Sequence, residues 1–166
     1  MSGSVVLKLT SHHLQLIKGH AEQTYAHECC GLLIGNMVAE QGEPYKTLQQ
    51  VRSTQNSWQQ QDEDFKDVEL TTRRRYWIEP AELFQIQKVA RTLGCDIIGV
   101  YHSHPDHPAV PSQCDLNWAW PQYSYIIVSV QQGIACDVKS WMLDDQGLFQ
   151  SEPIVVIETE RDPDRG

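Results

Sequence analysis

The sequence has no apolar run near the roughly 20 residues that a membrane-spanning helix needs. Its first residues, Met1-Ser2-Gly3-Ser4-Val5-Val6-Leu7-Lys8, lack the basic stretch and long apolar core of an export signal. Both absences set the expectation of a cytoplasmic protein with no membrane partner. Cysteine is scarce, at five residues: Cys29, Cys30, Cys95, Cys114 and Cys136. The number is odd and no C-x-x-C spacing occurs, which argues against a disulfide framework and for a reducing compartment. Positive charge is also short, with 13 Lys and Arg against 22 Asp and Glu and a formal net charge of −9. Polyanions are repelled by such a chain, so nucleic acid is not an expected partner. The one basic cluster, Arg73-Arg74-Arg75, has no supporting patch and reads as a solvated loop or strand edge.

What remains is ordinary for a globular protein. At 166 residues, 40% of them hydrophobic, the chain suits one domain with a real core. Residues 4–9 read as a first strand. From Thr10-Ser11, the recurrence of Leu14, Ile17, His20-Ala21 and Thr24-Tyr25 predicts a helix to about His27, carrying His12, His13 and His20 as surface or half-buried helix residues rather than ligands. Leu32-Leu33-Ile34 between two glycines predicts a core strand, with a partner over 45–51. Residues 53–68 are polar and predict a long loop. Tyr76-Trp77-Ile78 predicts a short strand, and Pro80 to Leu93 a helix stopped by Gly94. Further strands are expected over 95–100, 123–130, 135–143 and 154–157. The turn Asp144-Asp145-Gln146-Gly147 is read as joining the last two, and a short helix as running from Ser112 to about Trp120. The fold class is therefore α/β, a single domain over 1–158 with a mixed central sheet flanked by helices, followed by a charged, frayed tail over 159–166.

The chemistry centres on Tyr101-His102-Ser103-His104-Pro105 and, after a loop holding Pro108 and Pro111, Ser112-Gln113-Cys114-Asp115. In an extended chain His102 and His104 face the same way, at the C-terminal end of a buried strand, where open α/β sheets place ligands. Asp115, eleven residues past His104, is within reach of a returning loop. Two imidazoles and a carboxylate form the three-ligand set of a catalytic zinc site, with a fourth position left for water. Cys114 is a competing thiolate ligand. Ser112 has a structural alternative: Ser-x-x-Asp before a short helix is also an N-cap arrangement. Glu28, between a helix and a core strand, is the candidate general base, because a Glu near a helix C-terminus is mildly unfavourable electrostatically.

These residues, with the contexts Glu28-Cys29-Cys30-Gly31-Leu32-Leu33-Ile34-Gly35 and Ile97-Ile98-Gly99-Val100-Tyr101-His102-Ser103-His104-Pro105, resemble the JAMM, or MPN-plus, metalloproteases of bacterial type. The likeness covers roughly residues 4–145. It implies an MPN/JAMM sheet of cytidine-deaminase-like layout, zinc held by His102, His104 and Asp115, Glu28 moving the water's proton, and Ser112 donating to the oxyanion. Ser103 would support the site through its backbone. The resemblance further implies cleavage of peptide or isopeptide bonds after the C-terminal Gly-Gly of a ubiquitin-like, sulfur-carrier-type protein, with a homodimer possible and the 53–68 loop as a place for substrate contact. A non-catalytic scaffold of the same fold is the rival from another class. Among enzymes, His102-x-His104-x-Asp106-His107 also fits a metallo-β-lactamase-type pattern, but no histidine follows His107; a zinc deaminase would need a Pro-Cys-x-x-Cys element where Pro111-Ser112-Gln113-Cys114 stands.

Overall fold

In a computed structural model of the chain, residues 5–39, 42–56, 78–117 and 119–157 are described. Strand β1 (Val6–Leu9) leads into helix α1 (Ser11–Thr24), then strands β2 (Cys30–Val38) and β3 (Tyr45–Thr54). Helix α2 (Pro80–Thr92) precedes β4 (Asp96–Pro105), the short helix α3 (Gln113–Asn117), and β5 (Ser124–Gln131) to β8: β6 (Ile134–Leu143), β7 (Phe149–Glu152) and β8 (Ile154–Val156). The strands form one sheet in the order β7-β6-β5-β4-β2-β3-β1-β8. It is mixed: β4 runs parallel to β5, and β1 parallel to both β3 and β8, while the other pairs are antiparallel.

Helical periodicity decides which face each helix covers. Ile17 and Ala21 of α1 pack with Leu7, Leu9, Leu33, Ile126 and Val128 on one side of the sheet. Ile86 and Ala90 of α2 pack with Leu32, Ile34, Ile97 and Val100 on the other. Full burial of each Leu, Ile or Val among them is worth about 1.5–3 kcal/mol, so two helices on two faces hold the sheet as a sandwich. The β2–β4 register shifts between Leu33, opposite Gly99, and Ile34, opposite Ile97, leaving Ile98 as the extra residue of a bulge. Ile98 then joins the α1 side while its neighbour Ile97 stays on the α2 side. Tyr101 comes out on the α1 side, over Gly31, where a Cβ would collide with its ring, and its hydroxyl lies 2.7 Å from His20 Nδ1.

The helix caps follow sequence chemistry. Thr10 caps α1 by accepting from the His13 N–H, and His13 Nδ1 accepts from the Thr10 N–H. The helix stops at Thr24, earlier than the expected His27, because Tyr25 turns extended at φ −50°, ψ 133°. Strand β3 absorbs residues 53 and 54 of the expected loop. Residues 57–68 of that loop, Arg73 to Arg75, residues 76 and 77 of the expected short strand, and the tail from 158 lie outside the described residues.

One topological expectation is corrected. The turn at Asp144 to Gly147 does not join 135–143 to 154–157. Asp144 Oδ1 accepts from the Gln146 and Leu148 N–H groups and closes a tight hairpin onto β7 instead. After Glu152 and a single residue, Pro153, the chain crosses to the far edge and pairs as β8 with β1. The outermost strands, β7 and β8, are therefore joined through Pro153, and the sheet curls back on itself. At that closed end Lys46 Nζ is buried and donates to Ser124 Oγ at 2.7 Å and to Glu152 Oε2 at 3.3 Å, while Ser140 donates to Glu152 Oε1 at 2.7 Å. Among the described residues no helix is long and apolar enough to cross a membrane.

Candidate metal centre

The opposite end of the sheet holds the histidines. His102 and His104 leave the same face of β4, with ring centroids 5.0 Å apart. Parallel pairing with β5 aligns His102 with Ile127 and His104 with Ser129, so buried backbone fixes both rings. His104 Nδ1 lies 2.9 Å from the Pro108 carbonyl, which can only accept; Nδ1 thus carries the hydrogen and Nε2 presents a lone pair. The proline-rich loop then returns α3. Ser112 and Asp115 form a reciprocal cap: the Asp115 N–H donates to Ser112 Oγ at 3.1 Å and the Ser112 N–H to Asp115 Oδ2 at 2.8 Å. The N-cap alternative for Ser112 is realised, and it aims Asp115 at the histidines.

Asp115 Oδ1 lies 3.3 Å from His102 Nε2, and Oδ2 3.3 Å from His104 Nε2. A tetrahedral ion with bonds of about 2.0–2.1 Å spaces its donors by about 3.3–3.4 Å. Each of these two contacts, one from each carboxylate oxygen, has the length that separates neighbouring donors around such an ion. Glu28 stands on the other side of His102, with Oε1 3.4 Å from Nδ1, an ion-pair contact longer than a strong hydrogen bond. One ligand atom each of Glu28, His102 and His104 also lie within 4.8 Å of one another. Glu28 Oε2 is buried with no hydrogen-bond partner among the described residues, a costly arrangement for a carboxylate unless a water or ion meets it.

Electrostatics agree with the geometry. Burial works against charge on His102, but the Asp115 and Glu28 carboxylates prevail and hold its pKa above the ordinary 6.5. Burial also opposes charge on Asp115; His102, His104 and the Ser112 N–H outweigh it and hold the carboxyl below the ordinary 3.8. The neighbouring thiols are pushed the other way. Burial raises Cys29 to about 11 and Cys30 to about 12, so neither offers a thiolate at neutral pH.

The segment carrying Glu28 is fastened to the histidine strand. The Cys29 N–H donates to Ser103 Oγ at 2.8 Å, and the Ser103 N–H to the Cys29 carbonyl at 3.2 Å. Ser103 thus acts through its side chain as well as its backbone. Asn56 Nδ2, at the end of β3, donates to the Glu28 carbonyl at 2.9 Å. Two cavities open at Glu28. One, of about 380 Å³, is bounded by His104, Pro105, Pro108, Val110 and Ser112. The other, of about 450 Å³, has a polar lining that includes His20, Thr24, Gln55 and Asn56.

Known proteins resemble this chain over most of its length. A family model described as prokaryotic homologs of the JAB domain matches residues 10–144. A desampylase of Haloferax volcanii is 30% identical over 128 residues, covering 74% of this chain and 80% of its own length. A solution structure from Desulfitobacterium hafniense superposes with a TM-score of 0.72 at 27% identity, covering 93% of this chain and 94% of its own. Another, from Salinibacter ruber, gives 0.65 at 33% identity, covering 92% and 93%. With the matched span running from the N-cap of α1 through β6 and enclosing Glu28, His102, His104, Ser112 and Asp115, the chain belongs to the prokaryotic JAB-domain family.

Proposed function

We propose that this protein is a zinc-dependent isopeptidase of the cytoplasm that hydrolyses the bond after the C-terminal Gly-Gly of a ubiquitin-like protein, of the sulfur-carrier kind. The observation that carries this reading is the Asp115 carboxylate reaching both Nε2 atoms at 3.3 Å beside a buried Glu28 oxygen that has no partner among the described residues. His102, His104 and Asp115 would hold the zinc. Zinc supplies a water acidified to a pKa of about 7 and a Lewis acid for the carbonyl.

The chain's own residues do the rest. Glu28 takes the attacking water's proton and passes it to the leaving nitrogen, a role its buried position between two cavities suits. Ser112 Oγ, which accepts from the Asp115 N–H, still has its own hydrogen to donate to the developing oxyanion. Raised thiol pKa values at Cys29 and Cys30 leave no competing nucleophile next to Glu28. The match to a desampylase favours hydrolysis over scaffolding.

The test is a Glu28→Gln protein assayed on a Gly-Gly-linked ubiquitin-like fusion. It should keep about one zinc per chain and lose about 10²–10⁴ in kcat. Cleavage at the wild-type rate would remove Glu28 as base. Partner binding without turnover by the zinc-loaded wild type would favour the scaffold instead.

A further inference from the structure

Glu28 sits on a five-residue linker, Tyr25 to Cys29, that belongs to neither α1 nor β2. A proton-transfer group on such a linker must be tethered, since catalysis falls steeply when a reacting group is misplaced by about 1 Å. Ser103 and Asn56 hold its C-terminal half, as described above. Its N-terminal end is held by a different residue. The Tyr25 hydroxyl donates to Asp106 Oδ2 at 2.6 Å, a length in the charge-assisted range.

Asp106 is, after glycine, one of the residues best able to stand there. It lies two positions after His104 and adopts φ 57°, a left-handed conformation that glycine would take without strain. Glycine would bring no carboxylate. Here both oxygens are engaged: Oδ2 by Tyr25, and Oδ1 by the Gln132 N–H at 2.8 Å in the β5–β6 turn. The Asp106 N–H donates to the Val130 carbonyl at 2.7 Å. One exposed side chain thus joins the Glu28 linker, the end of the histidine strand and the neighbouring turn. Backbone held in a sparsely populated conformation clusters at functional sites.

We propose that Asp106 is a positioning residue. Acting through Tyr25, it fixes the linker to the strand that bears His102 and His104, and so sets where the Glu28 carboxylate stands relative to them. The inference rests on the hydrolytic reading above.

The full chain, zinc-loaded, is compared with Tyr25→Phe, Asp106→Ala and Asp106→Gly, each alone and combined with Glu28→Gln. Tyr25→Phe removes one hydroxyl only, and Asp106→Gly relieves the left-handed strain, so both should fold. Each single variant should lose about tenfold in kcat with KM changed by less than about twofold and zinc content unchanged, and the loss should vanish in the Glu28→Gln background. Hydrogen exchange should quicken by about tenfold or more at residues 26–29 and stay unchanged at Leu32 to Ile34. Unaltered kcat in both Tyr25→Phe and Asp106→Ala, or a loss undiminished in Glu28→Gln, would overturn the proposal. Absence of turnover in the wild type would sink the hydrolytic reading separately; the exchange rates then decide the tether alone, and unchanged rates at 26–29 end it.

Discussion

The two ends of the sheet each bury charge, and they do so differently. At the closed end, Lys46 and Glu152 are paired at 3.3 Å and each has a serine as well, Ser124 and Ser140. At the other end, His102 lies between two carboxylates, and one oxygen of Glu28 meets nothing among the described residues. Burying ions is expensive, and natural folds compensate by pairing and hydrogen bonding every polar atom. The closed end meets that requirement and acts as a plug between β3, β5, β6 and β7. The histidine end does not, and the unmet capacity is what a ligand would use. On the hydrolytic reading proposed above, satisfaction rather than burial separates structural charge from working charge in this molecule.

Removing one member from each end sharpens the contrast. Asp115→Ala should take zinc from about one per chain to near none, as read by atomic emission, and reduce hydrolysis to background, because two imidazoles alone make a poor site. Lys46→Met should instead destabilise the fold by about 3–5 kcal/mol in chemical denaturation, since it strands Glu152 as a buried, unpaired charge. Adding Glu152→Leu should recover most of that loss, and zinc content should stay near one in both proteins. Ser112→Ala bridges the two categories. Its lost oxyanion donor should cost about 10²–10³ in kcat, and its lost cap about 1 kcal/mol in stability, with zinc retained.

The gentlest break is pH. His102 is held above its ordinary 6.5, so below and around that value a proton would compete with the proposed zinc. Zinc affinity, measured by chelator competition, should rise by about tenfold from pH 6 to pH 7 for the single proton displaced. In the metal-free protein the signs differ by group. The depressed Asp115 contributes stability above 3.8, lost as pH falls through its folded value. The raised His102 contributes stability that is complete below 6.5 and lost as pH rises through its folded value. The gap in melting temperature between zinc-loaded and zinc-free protein should therefore widen on the alkaline side.

Much of this was legible in the residues. The H-x-H pair, the returning Ser112-x-x-Asp115 and the Glu28 linker are local patterns, and local geometry places them: period two for the histidines, a cap for Asp115. What escaped was non-local. Strand β7, Phe-Gln-Ser-Glu, has one apolar residue and no alternation, so only its partner β6 reveals it. The crossing of β8 to β1 was invisible because nothing in residues 144–157 names a partner at residue 7. Nothing in the residues around Lys46 marks it as buried, and its burial depends on a curl that no window of the sequence contains. In the sequence Asp106 stands out only within a rival metal pattern. Its real partners, Tyr25 and Gln132, are 81 and 26 positions away.

The single proline between β7 and β8 has a further bearing on how the chain is made. Leu7 and Ile154 are direct neighbours across the closing seam, yet nearly the whole described polypeptide separates them. During synthesis the outer row of amides and carbonyls on β1 must wait until Ile154 to Val156 have emerged, so the seam is the slow, long-range step of assembly. Any chain ending before that seam leaves the first strand it made open along one side.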